Sequence, residues 1–170
     1  MSHHHHHGAN PLREVLIGAA AGVGGAFVMD RFQALWSQYG EKIGLPGGAR
    51  QEGVQSAPEQ VADLVAETTT GERLPVEHRE QAEKAVHYAT GAALGVAYGV
   101  LASSVRGSTI GAGLPFGAAA FFLLDQGLVP KAGLGYAPQA QTKDQKTYSL
   151  VSHLVFGFTV DALRRVLGAR

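Results

Sequence analysis

AVHYATGAALGVAYGVLASSV, residues 85–105, runs for 21 positions without a formal charge, and GSTIGAGLPFGAAAFFLL, residues 107–124, adds 18 more after a single arginine. At ~1.5 Å per residue each run is about long enough to cross ~30 Å of hydrocarbon as a helix. Neither carries the polar face that a helix of a soluble bundle turns to water. Two further apolar runs flank them. Val15 to Met29 continues past Asp30 and Arg31 to Trp36, and Tyr148 to Val160 continues through Ala162, Leu163, Val166 and Leu167. The expectation is an all-α membrane protein with four transmembrane helices, at about 12–37, 82–105, 108–129 and 147–168, forming an up-down-up-down bundle in a lipid bilayer.

Composition narrows the alternatives. The 170 residues include 14 basic and 14 acidic side chains and no cysteine, which excludes charge-driven nucleic-acid binding, a disulfide scaffold and thiol chemistry. Residues 1–8, MSHHHHHG, read as an expression tag, leaving His78, His87 and His153 in a single membrane domain over 9–170. The one sizeable polar stretch, 38–81, is punctuated by Pro46, Gly47, Gly48, Pro58 and Pro75. Within it, Ser56-Ala57-Pro58-Glu59 resembles a capping box opening a short helix through Val61, Leu64 and Val65 that fades at Thr68–Gly71. Glu77 to Lys84 should extend the second span above the membrane. Arg13, Arg106, Arg164, Arg165 and Arg170 fall on one side, so both termini are assigned to the cytoplasm and the loops 38–81 and 130–146 to the outer, periplasmic side.

The chain reads as a duplication. Gly18-x3-Gly22-x7-Asp30 in the first span matches Gly113-x3-Gly117-x7-Asp125 in the third, with Phe27 and Phe122 three before each aspartate; His87 and Gly91 match His153 and Gly157. Two copies of a two-helix unit should be related by an axis along the membrane normal. Gly18, Gly22, Ala26 and Asp30 recur every fourth residue, as do His87, Gly91, Gly95 and Gly99, so the polar residues lie on the small-residue stripes where membrane helices touch. Gly95 and Gly99 would serve a homodimer as readily as an intramolecular contact.

Depth agrees with direction, because both aspartates end outward-going helices and both histidines begin inward-going ones. Asp30, His87, Asp125 and His153 are therefore the expected ligands of a divalent transition metal such as zinc, iron or manganese, a cation that would offset the repulsion of two buried carboxylates. Glu83, one turn before His87, is a candidate outer ligand or acceptor, although a solvated position is the simpler reading; Tyr98 is either a buried hydrogen-bond donor or a space-filling aromatic. Asp161, Arg164 and Arg165 read as an ion pair at the cytoplasmic end, or as a second polar station on an ion's route.

His87 with Tyr98 eleven on, Asp125 with Pro130 five on, and Ser152-His153-Leu154-Val155 followed by Asp161 and Arg164-Arg165 resemble the YagU-like family of bacterial inner-membrane proteins. The likeness covers Val86 to Leu167 and, loosely, the first span. That family has no established biochemical activity and is connected with acid tolerance. Histidine can stand in its pattern at the place of Asp125 and glutamate at that of Asp161, and the acidic loop here does not match. The resemblance implies a bacterial inner-membrane location and supplies no substrate.

Three functions compete on this reading: a metal-binding bundle for sensing, transport or redox work; a b-type haem carrier with His87 and His153 as axial ligands; and a non-catalytic helix-packing or acid-stress protein. Metal open to the outer face could activate water, but no nucleophile–base constellation or phosphate-binding loop accompanies it, so an enzyme is not favoured.

Overall fold

The computed structural model describes residues 11–45, 55–105 and 107–168. The tag, Pro46 to Gly48, Arg106 and Arg170 lie outside them. Among the described residues the chain is all helical and has no strand. Helix α1 spans Pro11–Tyr39, α2 Ala57–Thr70, α3 Val76–Ser104 and α4 Leu114–Ala120; a π-helical segment, Phe121–Leu128, and a single turn, α5 Val129–Lys131, continue α4, and α6 spans Lys143–Val166.

Local chemistry accounts for the ends. Ser56 accepts the Glu59 N–H at 3.2 Å and opens α2, which stops where Gly71 turns left-handed at φ 80°. The expected extension of the second span is present, since α3 begins at Val76. Two boundaries move. The third span was expected from 108, yet residues 107–113 form turns, because Gly107, Gly111 and Gly113 all take positive φ and Ala112 joins them at 52°. The fourth begins at Lys143 instead of 147, fixed by a capping box in which Thr142 and Gln145 exchange side-chain and backbone bonds.

Small residues set the packing. A Cβ on Gly22 would stand 2.1 Å from the Gly91 carbonyl oxygen, and one on Gly95 2.2 Å from that of Gly18, so α1 and α3 touch backbone to backbone and run antiparallel. Gly117 meets the His153 carbonyl and Gly113 that of Gly157 in the same way, joining α4 to α6. Gly25 lies under Val160 and Phe156, which brings α6 against the other side of α1. Gly95 and Gly99 are thus used inside the chain. The four long segments lie in the order α3, α1, α6, α4, and the backbones of α3 and α4 do not pack against each other. In this order the gap between α3 and α4 is bridged by the rings of Tyr98 and Phe116 at 4.7 Å. The core beneath holds Ala21, Ala26, Met29, Tyr98, Phe156 and Val160.

The two loops expected to share an end do so. Gln60 of α2 accepts the Gly135 N–H at 3.1 Å. At the opposite end Arg13 donates to the Gly168 carbonyl at 3.0 Å. Two helices, Leu12–Tyr39 and Val76–Ser104, are long and apolar enough to cross a membrane. The third and fourth expected spans do not join them among the described residues: turns and the π-helical segment break the third, and charged residues stand at both ends of α6.

Candidate functional site: two carboxylate–imidazole pairs on one cavity

The close approach of Gly22 to Gly91 puts His87 level with Ala26, one turn below Asp30. Side chains on a helix lean toward its N-terminus, so Asp30 leans back toward the imidazole. His87 Nε2 stands 3.1 Å from Asp30 Oδ1 and 3.4 Å from the Ala26 carbonyl oxygen. Facing two acceptors, Nε2 must be the protonated nitrogen. Tyr88 donates its hydroxyl to the other oxygen, Asp30 Oδ2, at 2.9 Å. The pair is closed on itself.

Its counterpart is built differently. His153 Nδ1 donates to the Ser149 carbonyl at 2.9 Å, and its Nε2 stands 3.8 Å from Asp125 Oδ1. The Ser149 hydroxyl donates to Asp125 Oδ2. Asp125 itself sits in the π-helical segment. Pro130 follows five residues later and has no N–H to give, so the carbonyls before it are freed from the α pattern and the wider i→i+5 bonds take over, as in Val129 N–H to Leu124.

All four residues line one cavity of about 770 Å³, walled by α1, α3, the π-helical segment and α6 and roofed by Ser56, Ala57 and Pro58 at the start of α2. A second cavity of about 470 Å³ reaches Asp125 and Ser149 from the other side, past Gln33 and Gln141, and the buried hydroxyl of Tyr136 at its wall has no partner. The expected single centre is not assembled as one ligand set. Among the described residues no three His, Asp or Glu side chains gather into one metal-holding group. Asp30 with His87, and Asp125 with His153, instead form two pairs facing the same space.

The remaining candidates divide between the two ends. Glu83 lines the cavity and accepts the Ser56 hydroxyl at 2.7 Å, tying the cap of α2 to α3. Tyr98 is fully buried and donates to Asp161 Oδ1 at 2.8 Å, so the hydrogen-bonding role holds for it. Arg165 Nε donates to Asp161 Oδ2 at 2.8 Å, whereas Arg164 turns to Glu14 at 3.2 Å. Glu14, Ser149 and Tyr88 are the residues that the sequence reading missed. Ser149 was findable: it stands one turn before His153 as Glu83 does before His87. Glu14 gave no signal, because its partner is 150 residues away.

Comparison with known families, characterised proteins and solved structures finds no match to this chain. The reading therefore rests on geometry. Two ligand atoms ~2.0–2.2 Å from a tetrahedral ion stand about 3.4 Å apart, close to the 3.8 Å between His153 Nε2 and Asp125 Oδ1. A metal-binding imidazole also gives its other N–H to a carbonyl, as His153 does. Asp125 and His153 offer two donor atoms at such a separation, and among the described residues no third His, Asp or Glu completes a metal-holding group with them. Haem fits less well, since each Nε2 faces a carboxylate.

Proposed function

We propose that this chain is a small membrane protein of the bacterial inner membrane, akin to the YagU-like family, whose cavity binds a divalent transition metal at Asp125 and His153. Asp30 and His87 act from the opposite wall, supplying negative charge near the ion. Membrane placement draws support from the apolar exterior. Only 39% and 22% of the most apolar windows of α1 and α3 are buried, the reverse of core helices in a soluble protein, and Phe27, Leu35, Phe122, Leu123 and Phe158 face outward. The observation that carries the metal reading is His153 Nε2 facing Asp125 Oδ1 across 3.8 Å, a gap too long for a hydrogen bond and close to the separation of two ligand atoms on one cation. Ligands must be deprotonated to bind, so acidifying the α2 side should release the metal.

Elemental analysis of protein freed of residues 1–8 tests this directly. About one equivalent of zinc, iron or manganese is expected, lost on chelation and absent from the Asp125→Ala, His153→Ala double variant. Retention of the full equivalent in that variant, or none in the tag-free protein, overturns the reading. A structural role is the competing one, favoured by the fact that both carboxylates already hold hydroxyl partners, Tyr88 and Ser149.

A further inference from the structure

The stripes that line the cavity do not end at its floor. On α3, His87, Gly91 and Leu94 border the space, and one turn on Tyr98 delivers its hydroxyl to Asp161. On α6, His153 and Phe156 border it, and Asp161 and Arg164 follow, 1% and 3% exposed. Glu14 of α1, 4% exposed, receives Arg164, and Arg165 holds the second oxygen of Asp161 while reaching the Thr109 carbonyl at 3.4 Å. The Nε of Arg164 is buried without a partner. Five residues separate Phe156 from Asp161, or ~7.5 Å along the helix. Val160, Ala21 and the ring of Phe116, packed 4.7 Å from Tyr98 and 6.5 Å from Phe156, fill that interval.

We infer that this cluster is the closed gate of a path for the cation, so that the protein passes the ion from one side to the other instead of only holding it. The inference rests on the cation-binding, membrane-embedded reading above. A buried ion pair is often replaceable by apolar side chains of the same volume at no cost, so packing alone does not account for this cluster, and fixing or switching an arrangement of helices is the best-attested use of such pairs. The two ends differ in the sense a path requires. At the α2 end the cavity reaches the surface between exposed Arg31, Glu80 and Lys84. At the Glu14 end the Glu14–Arg164 ion pair ties α1 to α6, and the hydrogen bond from Arg165 to the Thr109 carbonyl ties α6 to the 107–113 turn. Arg165 is 60% exposed and can swing to solvent without displacing a buried neighbour. Asp161 then keeps the Tyr98 hydroxyl on Oδ1 and has Oδ2 open, two turns from His153, ~12 Å along α6. The apolar barrier between the stations is thin beside the ~30 Å of a bilayer.

The absence of cysteine makes the test direct. Leu94→Cys reports the cavity floor, and an impermeant maleimide is applied to either face of sealed vesicles holding the full-length protein. With the cluster intact, labelling is expected from the α2 face alone. In the Glu14→Gln, Asp161→Asn background it should appear from the Glu14 face, at least tenfold faster than in the parent, and Mn²⁺ entry into the vesicles should rise with it. The charge-exchanged Glu14→Arg, Arg164→Glu pair, made with Asp161 intact, keeps the link and should label from the α2 face alone. Labelling confined to the α2 face in the neutralised variant, or an exchanged pair that labels from both, overturns the gate, and two-faced labelling without Mn²⁺ entry overturns the passage of the cation through it. Labelling needs no metal, so a protein that binds none would remove the proposed function while the gate is still read.

Discussion

The two halves carry the same aspartate and histidine at the same spacings, yet one pair is closed and the other open. In the first, Gly22 faces Gly91, four residues beyond the histidine; in the second, Gly117 faces His153 itself. The α4–α6 crossing is therefore offset by one helical turn from the α1–α3 crossing. Had α4 stayed α-helical, Asp125 would stand two turns above the level of His153, where Asp30 is one turn above that of His87. The π-helical segment turns Asp125 relative to an unbroken α-helix, since its i→i+5 bonds widen the turn that carries the side chain. Asp125 comes back within 3.8 Å of His153, close enough to share an ion and too far to share a proton. A repeated pattern and a shifted register thus give two carboxylate–imidazole pairs of different geometry, one of them on a helical irregularity.

Breaking what the halves share should have the largest effect. Gly22→Leu and Gly117→Leu each force a side chain into a facing carbonyl already within ~2.2 Å of a bare Cβ, so the helices must part; a loss of about 3 kcal/mol or more is expected for both, read from unfolding in detergent. A wild-type-like transition for either would show that the stripes are not the contact. Breaking what distinguishes them comes next. Sequence makes His87 and His153 equivalent, but geometry does not. His153→Ala should lower metal affinity by roughly 100-fold, whereas His87→Ala, whose imidazole is spent on Asp30, should lower it by less than about tenfold. Deleting Gly127 to restore α geometry should reproduce the His153→Ala loss with helix content retained, since Asp125 would rotate off the cavity. Equal losses from the two histidine variants would return the site to a symmetric centre.

How far the sequence carried differs by feature. Helix existence, the glycine contacts and the placing of four polar residues on one cavity were legible, because a four-residue period of small side chains has one physical meaning in tightly packed helices. Boundaries were not, since left-handed glycines at 107–113 and the cap at Thr142 act within a few residues and an apolar run masks them. The π-helical segment was hidden for a different reason. Pro130 announces that bonds before it are released, but which carbonyls rearrange depends on the register of α4 on α6, a tertiary quantity. The Glu14–Arg164 link and the closed form of Asp30–His87 depend on distances between helices that no local pattern encodes.

The smallest expected effect separates the two positions one turn before each histidine. Glu83 and Ser149 correspond in the repeat, but Glu83 holds the Ser56 hydroxyl that caps α2, and Ser149 holds Asp125. Removing Glu83 takes an acceptor from the roof of the cavity and leaves both carboxylate–imidazole pairs intact. Ser56 still caps Glu59, so Glu83→Ala should loosen α2 by about 1 kcal/mol, seen as faster hydrogen exchange confined to residues 57–70, with metal affinity changed by less than about threefold. Ser149→Ala should do the reverse. Its backbone carbonyl still fixes His153 Nδ1, but the carboxylate loses the Ser149 hydroxyl and the aim that donor gave it. A several-fold loss of metal affinity with unchanged exchange in α2 is expected. If the two variants instead weaken binding alike, the roof of α2 is part of the site, and the difference between the halves lies in what covers the cavity and not in how each aspartate meets its histidine.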